Sequence, residues 1–353
     1  MRLDRFITLN VIEPFRRAAA RLGFLDGKSM TLPVPILMYH GISDDPEPGV
    51  SPYHKTHTSP AVFRQHMQFL AAAGYRTLSL DQLVKWLNPS LTRSGDPSLP
   101  LDGRGIKGEG NQPPTTNPPI QEFRNPARLV CITFDDGFRD FYTKAFLVLR
   151  QCGFTATVFL PTAFIGDPRR RFSPRRGSTP SPANTHPSDT MECLTWGEVR
   201  ELRQCGIRFG SHTVNHPRLV ELGWSDVERE LRDSKTEMEQ QLGEPITAFA
   251  HPFAFPQADR QYVHGFGELL AAVGYTCCTT TEVGRAQPGD DLYRLKRLPI
   301  NGLDDRDFFR AKLEGGYDWL GGPQALVKKA KQTIAGSRRR ESLPVKLVTD
   351  ATN

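Results

Sequence analysis

The sequence predicts a distorted (β/α) barrel of about seven parallel strands with irregular insertions. Short apolar segments alternate with longer amphipathic ones along 353 residues, of which 38% are hydrophobic. Repeated strand-then-helix units build a parallel sheet, and seven or so of them in one chain favour a closed barrel over an open sheet. In such a barrel, chemistry belongs at the carboxyl ends of the strands, which is where the candidate residues fall.

Each element has a local signal. The predicted strands are, in chain order, PVPILMYHG, YRTLSL, LVCITF, TATVFLP, IRFGSHT, ITAFAHP, YTCCTT and RLPI. The helix after the first strand begins at Ser59 and Pro60, a cap followed by a proline in the first turn. Capping boxes predict two later helices, and these boxes are Thr195 with Glu198 and Ser225 with Glu228.

Composition divides the chain into three parts. We predict an N-terminal extension over residues 1–32, a barrel over 33–321 and a basic C-terminal tail over 322–353. Two stretches interrupt the barrel rhythm at about 88–127 and 166–190. The first is rich in proline, glycine, serine and threonine, and the second carries several arginines, so both are predicted to be exposed insertions.

Charge and cysteine content narrow the functional classes. The net charge is +6 and the pI is about 9.0, but the basic runs lack interleaved aromatic residues, so no nucleic-acid partner is expected. The six cysteines form no CxxC spacing, which indicates a reducing compartment. Without a signal-peptide core or an apolar run of membrane-spanning length, we expect a cytoplasmic protein. Residues 12–22 leave peripheral contact with a membrane surface, such as the inner membrane, as the alternative to an ordinary amphipathic helix. No oligomeric state is predicted.

Two motifs at strand ends suggest a metal centre. TFDDG places Asp135 and Asp136 side by side, and GSHTVNHP places His212 four residues before His216. Alone, the first also fits a turn or a helix cap, and the second fits two surface histidines. Together they offer two imidazoles and one carboxylate, the three-ligand arrangement of a catalytic metal site, with the second carboxylate left as a base for the activated water.

Two further histidines end predicted strands. His40 closes ILMYHG, where a hydrogen-bonded structural histidine is the common case and a general acid the functional one. His251 closes the strand before Pro252 and stays a second candidate for the acid. The remaining histidines lie in loops or helices without a partner at ligand spacing.

Three other functions use similar residues. A phosphoesterase usually needs a second metal and more ligands than the sequence offers. A glycosidase using Asp135 and Asp136 is rejected, because adjacent strand residues face opposite ways and cannot flank one bond. A carbohydrate-binding barrel that has lost catalysis stays open, although all the proposed catalytic groups are present.

The motifs TFDDGF, GSHTVNHPRL, FAHPFAFP and RLPI resemble those of the NodB-homology polysaccharide deacetylases, carbohydrate esterase family 4. The resemblance covers about residues 33–310. It implies that Asp135 is the general base and that Asp136, His212 and His216 hold a divalent metal, zinc in the first place, with cobalt or nickel also suited to these ligands.

Two departures from the family pattern modify these roles. The late motif reads LPING, with Asn301 where a catalytic histidine is usual, while LMYHG resembles the circularly permuted poly-N-acetylglucosamine deacetylases. In that subgroup the early histidine is the acid, which implies His40 here. The third motif has Ala250 and Phe253 in place of an arginine and a tyrosine. The backbone N–H of Phe253 can still serve an oxyanion, and Arg297 becomes the candidate to orient the base, with a structural salt bridge as its alternative.

The activity implied by the resemblance is hydrolysis of N-acetyl groups on a glycan containing N-acetylglucosamine. The expected partner is therefore an acetylated glycan, and the expected products are acetate and a free amino sugar. Two alternatives accompany this expectation: a catalytically inactive barrel, or a metal hydrolase that cleaves another ester or amide.

Overall fold

The computed structural model describes residues 2–22, 33–45, 47–89, 128–166, 172 and 191–334, with side chains up to residue 328. Most of both predicted insertions and the end of the predicted tail lie outside these residues, as do residues 23–32 of the predicted extension. Most of the chain that the sequence assigns to the barrel is therefore described.

Seven parallel strands close into a barrel. The strands are β1 (Ile36–Tyr39), β2 (Arg76–Thr77), β3 (Leu129–Phe134), β4 (Thr157–Leu160), β5 (Arg208–Ser211), β6 (Ala248–Ala250), β7 (Cys277–Val283) and β8 (Leu295–Pro299). β1 pairs with β8 on one side and with β3 on the other, which completes the ring β1-β8-β7-β6-β5-β4-β3. β2 pairs only with β3 and stays outside the ring. The predicted distorted barrel is confirmed.

Helices pack around the barrel. They are α1 (Leu3–Ile7), α2 (Glu13–Arg21), α3 (Pro60–Ala72), α4 (Leu80–Leu87), α5 (Phe146–Gln151), α6 (Trp196–Gln204), α7 (Trp224–Leu242), α8 (Arg260–Val273), α9 (Arg306–Leu313) and α10 (Gly321–Ile334). π-helical turns at 8–12 and 141–145 join α1 to α2 and precede α5. Within the described part of the chain, no helix has the length and apolar character to cross a membrane.

Cap residues explain where several helices begin. Ser59 accepts a hydrogen bond from Val62 N–H, and the Thr195–Glu198 capping box is formed as predicted. The predicted Ser225–Glu228 box is wrong: α7 begins at Trp224 with Gly223 as its N-cap and no side-chain cap, which places Ser225 inside the first turn.

Alternate strand residues fill the barrel interior. Phe159 of β4 belongs to the inner cluster, whereas its neighbours Val158 and Leu160 pack outward under the helices. Gly210 of β5 makes room for the Phe159 ring, since a Cβ at that position would lie 2.5 Å from the ring and 2.8 Å from the Ala248 carbonyl oxygen. Side chains of α4 join this inner cluster near the amino ends of the strands, so the opposite, carboxyl end is left for the polar residues.

Candidate metal-dependent active site

Asp136, His212 and His216 converge at the carboxyl end of the barrel. Asp136 Oδ1 lies 3.6 Å from His212 Nε2 and 3.4 Å from His216 Nε2. Possible ligand atoms of the three residues all lie within 4.8 Å of one another, and all three side chains are buried. The predicted ligand triad is therefore brought together by β3 and β5, neighbours of β4 on either side.

Left-handed backbone conformations aim these side chains. Asp136, Thr213, His216 and Phe253 have φ of +73°, +72°, +52° and +57°. Such conformations cost about 1–3 kcal/mol each in residues with a side chain and persist where the surrounding structure enforces them. Four of them around one point indicate a site whose geometry is held at the expense of local backbone strain.

A glutamate on α7 holds the loop that carries the two histidines. Glu230 Oε2 accepts hydrogen bonds from the N–H groups of Val214 and Asn215 at 2.8 and 2.9 Å, and its Oε1 accepts one from the Asn215 side chain. The His216 N–H bonds to Thr213 Oγ1 at 2.9 Å. Sequence reasoning missed Glu230, because one acidic residue in a strongly charged helix gives no distinguishing signal.

Asp135 is not part of the triad and pairs with a buried arginine. Arg297 Nη1 lies 2.7 Å from Asp135 Oδ1, and Nη2 lies 2.8 Å from Oδ2, a two-pronged ion pair. Arg297 is fully buried and also donates to the Thr280 carbonyl and to Thr133 Oγ1. Burial alone would raise the pKa of Asp135, but attraction to Arg297 outweighs it and holds this pKa well below the usual range.

His40 lies beside Asp135, and Phe253 packs against His216 of the triad. His40 Nε2 lies 3.9 Å from Asp135 Oδ2, and its side chain keeps 19% of its surface exposed. The Phe253 ring packs against His216 at 4.6 Å between centroids and under the Arg218 guanidinium at 4.3 Å. Among the described residues, the Phe253 N–H has no hydrogen-bond acceptor.

His251 lies below the site and not at its mouth. It is 1% exposed, its Nε2 lies 3.1 Å from the Tyr262 hydroxyl, and its ring is surrounded by Phe255 and Phe266. Burial lowers the pKa of His251 to about 3, so it is neutral at physiological pH. This position favours a core histidine over the alternative acid.

The chemistry of the triad fits a divalent cation. His212 Nδ1 lies 2.8 Å from the Ala250 carbonyl oxygen, which fixes a proton on Nδ1 and turns the Nε2 lone pair toward Asp136. Burial lowers the pKa of His216 to about 3, so its imidazole is neutral and able to ligate. The pKa of Asp136 is also lowered: burial raises it, and the two histidines beside it lower it by more. Two imidazoles and one carboxylate match a catalytic zinc-type site.

Asp140 binds the backbone of the segment that follows His40. Its Oδ2 accepts a hydrogen bond from the Ile42 N–H at 2.8 Å, while among the described residues its buried Oδ1 has no partner. Burial raises the pKa of Asp140 to about 7, and the bond from Ile42 offsets only part of this effect. The carboxyl is therefore largely protonated in the folded state below neutral pH.

Asp140→Asn is expected to stabilise the protein at pH 8 and to have less effect at pH 5. The pKa of Asp140 in the folded state lies above its unfolded value of about 3.9. Between these two pH values the folded state binds one more proton than the unfolded state, so the free energy of unfolding falls as pH rises through this range. Asparagine keeps an acceptor for Ile42 without the charge, for a gain of about 1 kcal/mol at pH 8. Urea unfolding at both pH values measures this, and an equal change at both would contradict it.

Residues 123–274 match the family model described as "Polysaccharide deacetylase". The Bacillus subtilis (strain 168) protein named "Putative polysaccharide deacetylase YxkH" is 25% identical over 268 residues, which cover 76% of this chain and 71% of that protein. Residues 123–274, which match the family model, contain Asp135, Asp136, His212, His216 and Phe253.

Solved structures share the fold at low identity. The Streptococcus pyogenes deacetylase PplD, solved in complex with acetate, has a TM-score of 0.56 and 24% identity, covering 80% of this chain and 99% of that one. IcaB from Ammonifex degensii has a TM-score of 0.52 and 18% identity, covering 82% and 97%. At these identities the likeness establishes the architecture of the barrel alone.

Proposed function

We propose that this chain, whose residues 123–274 match the polysaccharide deacetylase family model, is a metal-dependent hydrolase that removes N-acetyl groups from polysaccharides or oligosaccharides containing N-acetylglucosamine. The observation that carries the proposal is the convergence of Asp136, His212 and His216 within 4.8 Å at the barrel mouth. Asp135 lies outside this group and pairs with Arg297, which supports the division of the two aspartates into ligand and base.

The proposed metal is a divalent cation, zinc in the first place, held by these three side chains. When bound, it would activate water and polarise the amide carbonyl. His212 contributes Nε2, since its Nδ1 faces the Ala250 carbonyl, and Asp136 contributes a carboxylate oxygen. The buried walls around the ligands keep bulk water away and strengthen the interactions with developing charge.

Asp135 is proposed to take the proton from the attacking water. Arg297 holds the carboxylate from behind through two hydrogen bonds and keeps it ionised, ready to accept a proton. The Phe253 N–H is proposed to donate to the oxygen of the acetamide as negative charge grows there, the role of an oxyanion hole. Asp135 would therefore act on the attacking water, and the Phe253 N–H on the oxygen of the carbonyl group that the water attacks.

His40 is proposed to protonate the departing amine. Amines leave poorly unless protonated, so the collapse of the tetrahedral species needs an acid near the sugar nitrogen. His40 is partly exposed at the mouth and 3.9 Å from Asp135, a position from which it reaches the same substrate. Acetate and a free amino sugar are then the products, and Asp135 and His40 exchange protons with water to regain their starting forms.

Acetate release from N-acetylglucosamine oligomers tests the proposed function. We expect release by protein loaded with zinc or cobalt, a loss of at least about 10²-fold after chelation, and recovery when the metal is restored. His40→Ala should lower kcat by about 10²-fold, since general acids contribute 10² to 10⁴. His264→Ala is the matched control, because His264 is exposed and, among the described residues, pairs only with Glu268. Activity that survives full chelation would contradict the proposal.

A further inference from the structure

The N-terminal helix, defined as residues 3–21, turns its two acidic side chains toward the barrel. Asp4 is buried and accepts hydrogen bonds from Arg2 and, at 2.6 Å, from the Tyr317 hydroxyl. Arg2 also lies 3.2 Å from the buried carboxylate of Asp304, in the loop that follows β8. An ionic network therefore fixes the first turn of this helix onto the body of the protein.

The same polar face continues along the helix. Trp319 Nε1 donates to the buried Thr8 hydroxyl at 3.1 Å. Glu13 is buried and pairs with Arg16 at 2.6 Å, and Arg16 in turn bonds to the Glu314 carbonyl. Both acidic residues of the helix, Asp4 and Glu13, are thus buried and paired on its inner side.

The outer face of the helix is apolar. Leu3, Phe6, Val11, Phe15 and Leu22 are 62%, 41%, 53%, 74% and 71% exposed. Leu3, Val11 and Phe15 lie eight and four residues apart, about two turns and one turn, which places them on one side, and Leu22 follows as the C-cap. A surface helix ordinarily buries its apolar stripe, so the burial of both acidic residues, beside Leu9, under an exposed apolar side departs from that pattern.

Cations flank this outer face. The Arg17 side chain is 60% exposed, 3.9 Å from Glu13, and Arg21 is exposed in the last turn. An anionic lipid surface complements both properties, since it accepts apolar side chains into the acyl boundary and attracts arginine at the headgroups.

We propose that the outer face of the N-terminal helix binds the surface of an anionic lipid bilayer, with the helix axis in the membrane plane. The helix is about 28 Å long at 1.5 Å per residue, and its inward charges keep it at the surface. Its first turn lies at the catalytic end of the barrel: the Leu3 N–H bonds to the Tyr53 hydroxyl after β1, and Arg2 bonds to Asn301 after β8. Binding places the mouth of the site at the edge of the membrane.

Co-sedimentation of the full-length protein with vesicles tests this surface. Vesicles of phosphatidylcholine with phosphatidylglycerol are compared with phosphatidylcholine alone, at low and high salt. We expect binding to the anionic vesicles that weakens with salt and is much weaker on the neutral ones. Phe15→Gln should weaken binding at least about tenfold by removing the most exposed aromatic ring. Arg17→Gln with Arg21→Gln should weaken it roughly 30-fold, since each cation near such a surface contributes about fivefold.

Leu147→Gln on α5 is the matched control, because Leu147 is 50% exposed and lies outside the N-terminal helix. All these side chains are at the surface, so folding and acetate release from soluble oligomers should be unchanged, which separates this proposal from the proposed activity. The proposal fails if the wild-type protein does not bind anionic vesicles, or if Leu147→Gln weakens binding as much as Phe15→Gln. A dimer that Phe15→Gln dissociates, without vesicle binding, would assign the face to a second copy instead.

Discussion

Asp135→Asn is expected to lower kcat for acetate release by about 10³-fold and to leave the bound metal in place. Asparagine has nearly the shape of aspartate but cannot accept a proton from water at neutral pH. Asp135 faces Arg297 and His40, whereas Asp136 faces the two histidines, so the substitution should spare the metal ligands. Steady-state rates together with metal content per chain measure both parts of this expectation.

The adjacent substitution is the control for Asp135→Asn. Asp136→Asn removes the only carboxylate of the triad and should lower metal content and activity together. Metal retained in Asp135→Asn and lost in Asp136→Asn would support the proposed roles of base and ligand. If Asp135→Asn loses its metal, or keeps full activity with metal bound, the division of labour between the two residues is wrong.

Much of the barrel follows from local rules that act within a few residues. Ser59 and Thr195 predicted helix starts correctly because a cap is a contact between residues three positions apart. YRTLSL was predicted as an ordinary strand, but Ser79 begins a capping box with Gln82, which ends β2 after two residues and leaves it outside the ring. The signals for a strand and for a helix cap overlap in this segment, and strand pairing with the neighbouring β3 covers Arg76 and Thr77.

The candidate site was less accessible to sequence reasoning. The residues of the triad stand in two short motifs, so their spacing alone suggested a metal. The contact between Asp135 and Arg297 spans 162 positions and depends on the register of β8 across the barrel. The sequence therefore left Arg297 open as either a structural salt bridge or a partner of the base. No local pattern distinguishes a fully buried arginine from the many exposed ones.

Arg297→Met is expected to lower the free energy of unfolding by about 3–5 kcal/mol, measured on metal-free protein by urea denaturation. Methionine fills similar space but leaves the Asp135 carboxylate buried without its cation. Arg297→Lys should recover only part of the loss, because one ammonium group cannot reproduce the two parallel hydrogen bonds of the guanidinium. The same variants should lose activity, since the base is no longer held in place.

The dependence of this loss on pH has a definite sign. In the wild-type protein the pKa of Asp135 is below its unfolded value, because the attraction of Arg297 outweighs burial. The pair therefore contributes stability above that unfolded pKa, about 3.9, and loses it as pH falls through the folded pKa. In Arg297→Met, burial raises the pKa of Asp135, so the deficit should be largest near pH 8 and shrink toward pH 5, where the carboxyl takes up a proton.

A double-mutant cycle separates the ion pair from simple loss of packing. Asp135→Asn alone leaves the positive charge of Arg297 buried and unpaired. Arg297→Met alone leaves the negative charge of Asp135 buried and unpaired, whereas the double variant has neither charge. Its loss of stability should therefore be smaller than the sum of the two single losses by at least about 2 kcal/mol, and it should vary little between pH 5 and 8. Additive losses would mean that Arg297 acts through packing. The ionisation of Asp135 would then need another source than this arginine.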